Sequence, residues 1–233
     1  MKRFWDRAAV AETAEGFAVQ LDGKPVRLPG GGSLAVATSP LAEALAEEWQ
    51  GAGTGKGGTL SWDELPLTRL VGTALERIAP DPDATIAALA AYGGTDLLCY
   101  RVEEPLLAAK QAKLWQPWLD WAARELGASL AVTEGLMPVR QPTASLIALE
   151  RAVAAHPPLV LAALGVLVPA LGSLVLGLAV VRGALPVVEA HRLAVLDETH
   201  QEEQWGLDWE AEERRARVAE DLAVAARLAG LAG

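Results

Sequence analysis

The chain has 233 residues, 52% of them apolar and 21% charged. It can bury roughly 70% of its unfolded surface in a core and is too hydrophobic for intrinsic disorder. Thirty acids against twenty bases give a formal net charge of -10, which disfavours nucleic acid and anionic lipid as partners. Cys99 is the only cysteine, so neither an intramolecular disulfide nor a cysteine-based zinc site can form.

Lys2 and Arg3 resemble the start of a secretory leader, but Asp6 and Arg7 stand where its apolar region belongs. A cytoplasmic product, or a mature form already trimmed, is expected. Phe17, Val19 and Leu21 then alternate with Ala18 and Gln20. After Asp22-Gly23, Val26 and Leu28 alternate with Pro25 and Arg27. This predicts two strands joined by a tight turn. Pro25 has no backbone N–H to donate, which puts its strand at an edge. Residues 29–32 read as a loop and 34–37 as another short strand. Ser39 is the expected N-cap of a helix with Pro40 at its first position and Leu41, Ala44, Leu45 and Trp49 on one face.

Residues 51–58 form a glycine-rich loop, and beyond it the periodicity becomes helical. Leu67, Leu70, Val71, Ala74, Leu75 and Ile78 make a stripe that Pro80 ends, and Asp81-Pro82 caps a helix stopping at Gly93-Gly94. Residues 97–100 are a short apolar stretch. Pro105 opens a helix toward Gly127, interrupted at Pro117, and 128–142 reads as loop or strand. Helices follow from Pro142 to His156 and over about 159–181, 186–205 and 208–231. The fold class is α+β: a small β-rich N-terminal domain with one helix over 1–60, then an all-α domain over 61–233, with the change of pattern at 51–65.

Residues 159–181 carry no formal charge over a length that could span a bilayer. Pro169, Gly165, Gly172 and Gly177 interrupt them, and neither an aromatic belt nor a basic cluster flanks them. A buried helix is the expected outcome, without stable membrane insertion.

The chemical motifs are sparse. Lys56 in the 51–58 loop lacks both the glycine register and the Ser/Thr of a phosphate-binding loop. Asp197-x-x-His200 has the spacing of a carboxylate-bridged metal site, but His156 and His191 lack matching acids, so no metal or other cofactor is expected. Cys99, between Leu98 and Tyr100, reads as a buried, inert thiol. Trp115, Trp118 and Trp121 read as core, with an interface as the alternative. Residues 197–213 hold eight acids and no Lys or Arg. Leu193, Asp197, His200 and Gln204 continue one helical line, so an acid falls on a core-facing stripe. Such an acid must be paired or face a groove filled by a partner, here a basic or amide-rich one.

Several stretches taken together resemble a known family. They are Lys2-Arg3-Phe4-Trp5, residues 17–26, Glu48-Trp49, residues 65–70, residues 95–101, Gln111 with Trp115, Pro117 and 120–122, residues 171–176, and Leu196-Asp197-Glu198 leading to Gln201 and Gln204-Trp205-Gly206. In this order they resemble the ATP12 family, assembly chaperones for the F1 sector of ATP synthase. The resemblance implies a bacterial, non-enzymatic protein that binds the free α subunit of F1 and prevents its aggregation. It also implies a β-rich domain followed by a helical one, and importance for an acid at Asp197 or Glu198 and for Trp49. The expected partner surface therefore comprises Asp197, Glu198, His200, Gln204, Trp205 and Trp49, on a monomer. Two rival readings stay open: an enzyme using carboxylates of the helical domain, and a membrane-attached assembly factor using 159–181.

Overall fold

The computed structural model describes residues 2–232 apart from Leu136, Pro138 and Leu207. The chain opens with β1 (Ala8–Thr13), β2 (Gly16–Leu21), β3 (Lys24–Pro25) and β4 (Ala35–Val36). β2 lies at the centre: β1 pairs along one side of it, and β3 and β4 pair on it as well, all antiparallel. Asp22 (φ 49°) and Gly23 (φ 79°) both take positive φ, as the tight turn between β2 and β3 requires. The Asp22 carboxylate also accepts the Asp6 and Arg7 N–H groups, which holds it below the usual carboxylate range. Pro25 lies in β3, at the end of the strand order, as its missing donor predicts.

Helix α1 (Ser39–Gly51) lies against β1 and β2 and buries Leu41, Ala44, Leu45 and Trp49. Its N-cap is Thr38, one residue earlier than the Ser39 cap expected from the sequence. The Thr38 hydroxyl leaves the helix's own N–H groups alone and donates to the Leu231 carbonyl at 3.0 Å. At the other end Arg3 donates to the Gln50 and Ala52 carbonyls, closing the C-terminal turn of α1.

The expected change of pattern at 51–65 falls in the loop after α1. The helices that follow are α2 (Pro66–Thr73), α3 (Asp83–Ala91), α4 (Pro105–Trp121), α5 (Thr143–Ala154), α6 (Pro158–Leu171), α7 (Leu174–Val181), α8 (Val187–Ala194), α9 (Leu196–Trp205) and α10 (Trp209–Leu231). A short parallel pair, β5 (Tyr100–Arg101) and β6 (Thr133–Glu134), lies among them. Of 128–142, expected as loop or strand, Leu136 and Pro138 fall outside the described residues. Buried apolar side chains of the sheet, α1 and the helices form one continuous cluster.

Three helix boundaries depart from the sequence reading. Pro117 does not interrupt α4; the helix runs through it and widens into a π turn at Ala122–Leu126 before Gly127. The 159–181 stretch is two helices, both largely buried, because Gly172 turns left-handed (φ 62°) and Ser173 begins a new cap. The Ser173 hydroxyl accepts the Leu176 N–H, and the carboxylate of Asp96, itself fully buried, accepts the Val175 and Leu98 N–H groups. Third, 186–205 breaks at Val195 into α8 and α9. Among the described residues no helix is long and apolar enough to cross a membrane.

A second carboxylate joins the sheet unit to the helices. Glu48, on α1, accepts the Leu67 N–H at 2.6 Å, the Thr68 N–H at 2.8 Å and the Thr68 hydroxyl at 2.6 Å. These are first-turn donors of α2, whose N-cap residue Leu65 supplies no side-chain acceptor. Glu48 and residues 65–70, two stretches that carry the family resemblance, thus meet in one helix cap. Asp96 does the same for 95–101 and 171–176.

Candidate functional site

Helix α9 buries only Leu196 and His200, and three sets of neighbours hold its polar side chains. Toward α4, the Asp197 Oδ1 accepts from Gln111 Nε2 at 2.8 Å, and the Gln111 Oε1 accepts the Val102 N–H at 2.9 Å. Gln111 is completely buried. The acid on the core-facing line is therefore paired, one of the two outcomes open to it.

Beside Asp197 lies Arg101, 7% exposed. Its Nη1 donates to the Leu98 carbonyl, and its guanidinium carbon sits 5.1 Å from the Trp115 ring centroid. Burial pulls its pKa below the ordinary arginine value, and the Asp197 carboxylate works against that pull. Trp115 donates its Nε1–H to the Leu193 carbonyl at 3.0 Å, tying α4 to the end of α8.

Further along α9, His200 Nδ1 lies 3.1 Å from Lys110 Nζ, and its Nε2 lies 3.0 Å from Gln204 Nε2 and 3.5 Å from Glu104 Oε2. Lys110 also donates to Glu203 at 2.6 Å. Glu104 is held below the usual carboxylate range by the Leu107 and Leu106 N–H groups that it caps. On the opposite side, Glu202 takes Arg215 of α10 through both oxygens at 2.7 and 2.9 Å, and Glu198 lies 3.4 Å from the same guanidinium.

These contacts leave a groove of about 520 Å³ between α4 and α9, lined by Leu106, Lys113, His200 and Gln204 among others. Apolar side chains stand exposed in this region. Leu106 is 68% exposed, and Trp205 and Trp209, either side of Gly206, are 77% and 63% exposed. Truly exposed tryptophans are uncommon and are the kind of side chain that anchors interfaces.

The structure thus brings together five of the six predicted surface residues: Asp197, Glu198, His200, Gln204 and Trp205 lie on one helix. Trp49 does not join them; it lies on α1, in the core beneath the sheet. It is 3% exposed, packs edge-on against Trp5 at 5.2 Å and supplies its carbonyl to the Trp5 Nε1–H. The sequence reading gave no role to Arg101, Gln111 or Lys110. Gln111 was detectable, because it interrupts the buried line Leu107, Trp115 and Leu119 of α4 at helical spacing. The other tryptophans divide: Trp115 is core, and Trp118 and Trp121 are partly buried with ring centroids 6.3 Å apart. Among the described residues no group of three or more His, Cys, Asp or Glu is placed to hold a metal ion.

Comparison with known proteins adds two findings. The model of the family described as ATP12 chaperone protein matches residues 2–123. The crystal structure of Atp12 from Paracoccus denitrificans is 42% identical, with the alignment covering 100% of this chain and 98% of that one and a TM-score of 0.93. The same values hold for a variant of that protein in which an aspartate is replaced by lysine. A candidate chaperone from Agrobacterium tumefaciens is 37% identical over 100% of this chain and 86% of its own, again with a TM-score of 0.93. The fold is that of a chaperone, a small sheet followed by a helical body. More specifically, the chain belongs to the ATP12 chaperone family.

Proposed function

We propose that this protein is a non-catalytic chaperone that binds the free α subunit of F1 ATP synthase and promotes assembly of the F1 sector. Before it meets β, an α subunit exposes a large, partly apolar surface prone to aggregation. The α4–α9 face supplies what covering such a surface needs. The observation that carries the reading is Trp205, 77% exposed next to a polar line of paired groups that ends in Gln204. Release follows from competition by β for the same surface, which requires only moderate affinity. The helical unit over 61–233 carries the contact and the sheet unit over 1–60 braces it, in a monomer acting in the cytoplasm.

The test is co-expression with F1 α alone, followed by pull-down and measurement of soluble α. The unaltered protein should keep α soluble and co-purify with it. Trp205→Ala, which removes no buried packing, should weaken capture. So should charge reversal of Asp197 and Glu198 together, although that pair also breaks the Gln111 and Arg215 contacts and needs a stability control. Undiminished capture by both variants would exclude α9 as the contact.

A further inference from the structure

Arg101 leaves one strong donor unused. It lines a cleft of about 700 Å³ with Leu97, Tyr100, Val102, Glu103 and Asp197, yet it is 7% exposed and its Nη2 has no hydrogen-bond partner. Asp197 does not take that nitrogen; its Oδ1 is engaged by Gln111. A buried charged donor without an acceptor carries its full desolvation penalty, which an incoming acceptor would relieve.

The surroundings select the acceptor. One guanidinium and two carboxylates leave the cleft with a net charge of one negative. A carboxylate or phosphate on Arg101 would add a further negative charge beside the partly buried Asp197 and the exposed Glu103. An amide carbonyl satisfies the same donor without that repulsion. It also leaves Asp197 able to accept from an adjoining N–H or a basic side chain. Leu97, Tyr100 and Val102, all partly buried, offer apolar wall. The volume lies in the range of pockets that enclose a small ligand, which admits a few residues of extended chain.

We propose that this cleft is a subsite for a short extended segment of client polypeptide, neutral or basic, toward whose main-chain carbonyl the Arg101 guanidinium turns its unpartnered Nη2, now closed to solvent, and whose N–H or cationic group binds Asp197. The inference rests on the chaperone reading above and gives that surface a definite chemistry: main-chain recognition, tolerant of sequence and intolerant of anions. Both features suit a protein that holds an incompletely assembled chain.

The test uses the whole protein and short labelled peptides with blocked termini spanning the F1 α sequence, read by fluorescence anisotropy. A subset of peptides should bind. Arg101→Lys, which keeps the charge but loses the second nitrogen, should weaken binding about tenfold. Val102→Trp, which fills the cleft and leaves Arg101 and Trp115 in place, should abolish it, and it decides the question if Arg101→Lys proves unstable. Inorganic phosphate should not compete. Intact α captured by the unaltered protein, with peptide binding absent or unchanged in both variants, overturns the cleft alone. Displacement of peptide by phosphate overturns the main-chain chemistry in favour of an anion site. Failure of the unaltered protein to hold intact α overturns the chaperone reading, and this subsite with it.

Discussion

Replacing Glu48 by alanine should destabilise the protein without touching its partner surface. The carboxylate supplies the side-chain cap of α2, accepting two first-turn N–H groups and the Thr68 hydroxyl at 2.6 to 2.8 Å. Loss of a helix cap costs about 1–2 kcal/mol. Loss of a carboxylate at a helix N-terminus adds about 0.5 kcal/mol. Thr68 is 1% exposed, so its hydroxyl is stranded, adding about 1 kcal/mol. The total is about 3 kcal/mol, which for a chain of this size lowers the melting temperature by about 6–12 °C. Glu48→Gln retains one acceptor oxygen and should lose about half as much. Urea unfolding and thermal melts measure the change, and capture of α well below the transition should be normal for both variants. A loss under about 0.5 kcal/mol for Glu48→Ala would refute the capping account, because it falls at the floor of measured cap losses. Lost capture with stability intact would place Glu48 on the partner surface.

Three further outcomes follow. Cys99 is fully buried and its thiol is pushed up to about 12, chiefly by burial, so it should ignore a thiol reagent in the native protein and react on unfolding. Rapid native labelling would contradict the packing around β5. Gly177→Ala should destabilise by about 1–3 kcal/mol, since an added Cβ would lie 2.8 Å from Val168 Cγ2 where α7 crosses α6; an unchanged denaturation midpoint would show that the contact can relax. His156 and His191 are both held below the ordinary imidazole range, first by burial and then by Arg182 and Arg215 respectively. The unfolded chain therefore takes up protons first, so stability should be full above about pH 7 and fall as the pH drops through about 6.5. The His156→Gln, His191→Gln double variant should flatten that slope, and an unaltered slope would assign it to other groups.

How much was legible in the sequence depended on how local the cause was. The β2–β3 turn was readable because Asp22-Gly23 and the flanking alternation carry it within a dozen residues. β1 was missed because its residues, Ala-Ala-Val-Ala-Glu-Thr, have little strand character of their own; pairing with β2 along its whole length makes it a strand. The break between α6 and α7 escaped notice because half its cap comes from Asp96, 79 residues from Val175. At the site, the polar interruption of the Leu193 stripe left two outcomes open, a paired acid or a partner-filled groove, and Asp197 takes the first. Its partner Gln111 lies 86 residues away; the spacing of α4 marks it as a buried polar residue, but nothing in the sequence pairs it with Asp197. Trp49 shows the converse: prominence in a family pattern does not separate a contact from a core residue, and this side chain is buried against Trp5.

The central claim, stoichiometric holding of an unassembled α subunit without catalysis, is tested most directly by light scattering from isolated F1 α as this protein is titrated in, with no nucleotide present. The account predicts that aggregation ceases near one protein per α subunit and that adding β releases α into F1. Suppression at far smaller ratios, a requirement for ATP, or continued aggregation at excess protein would contradict it.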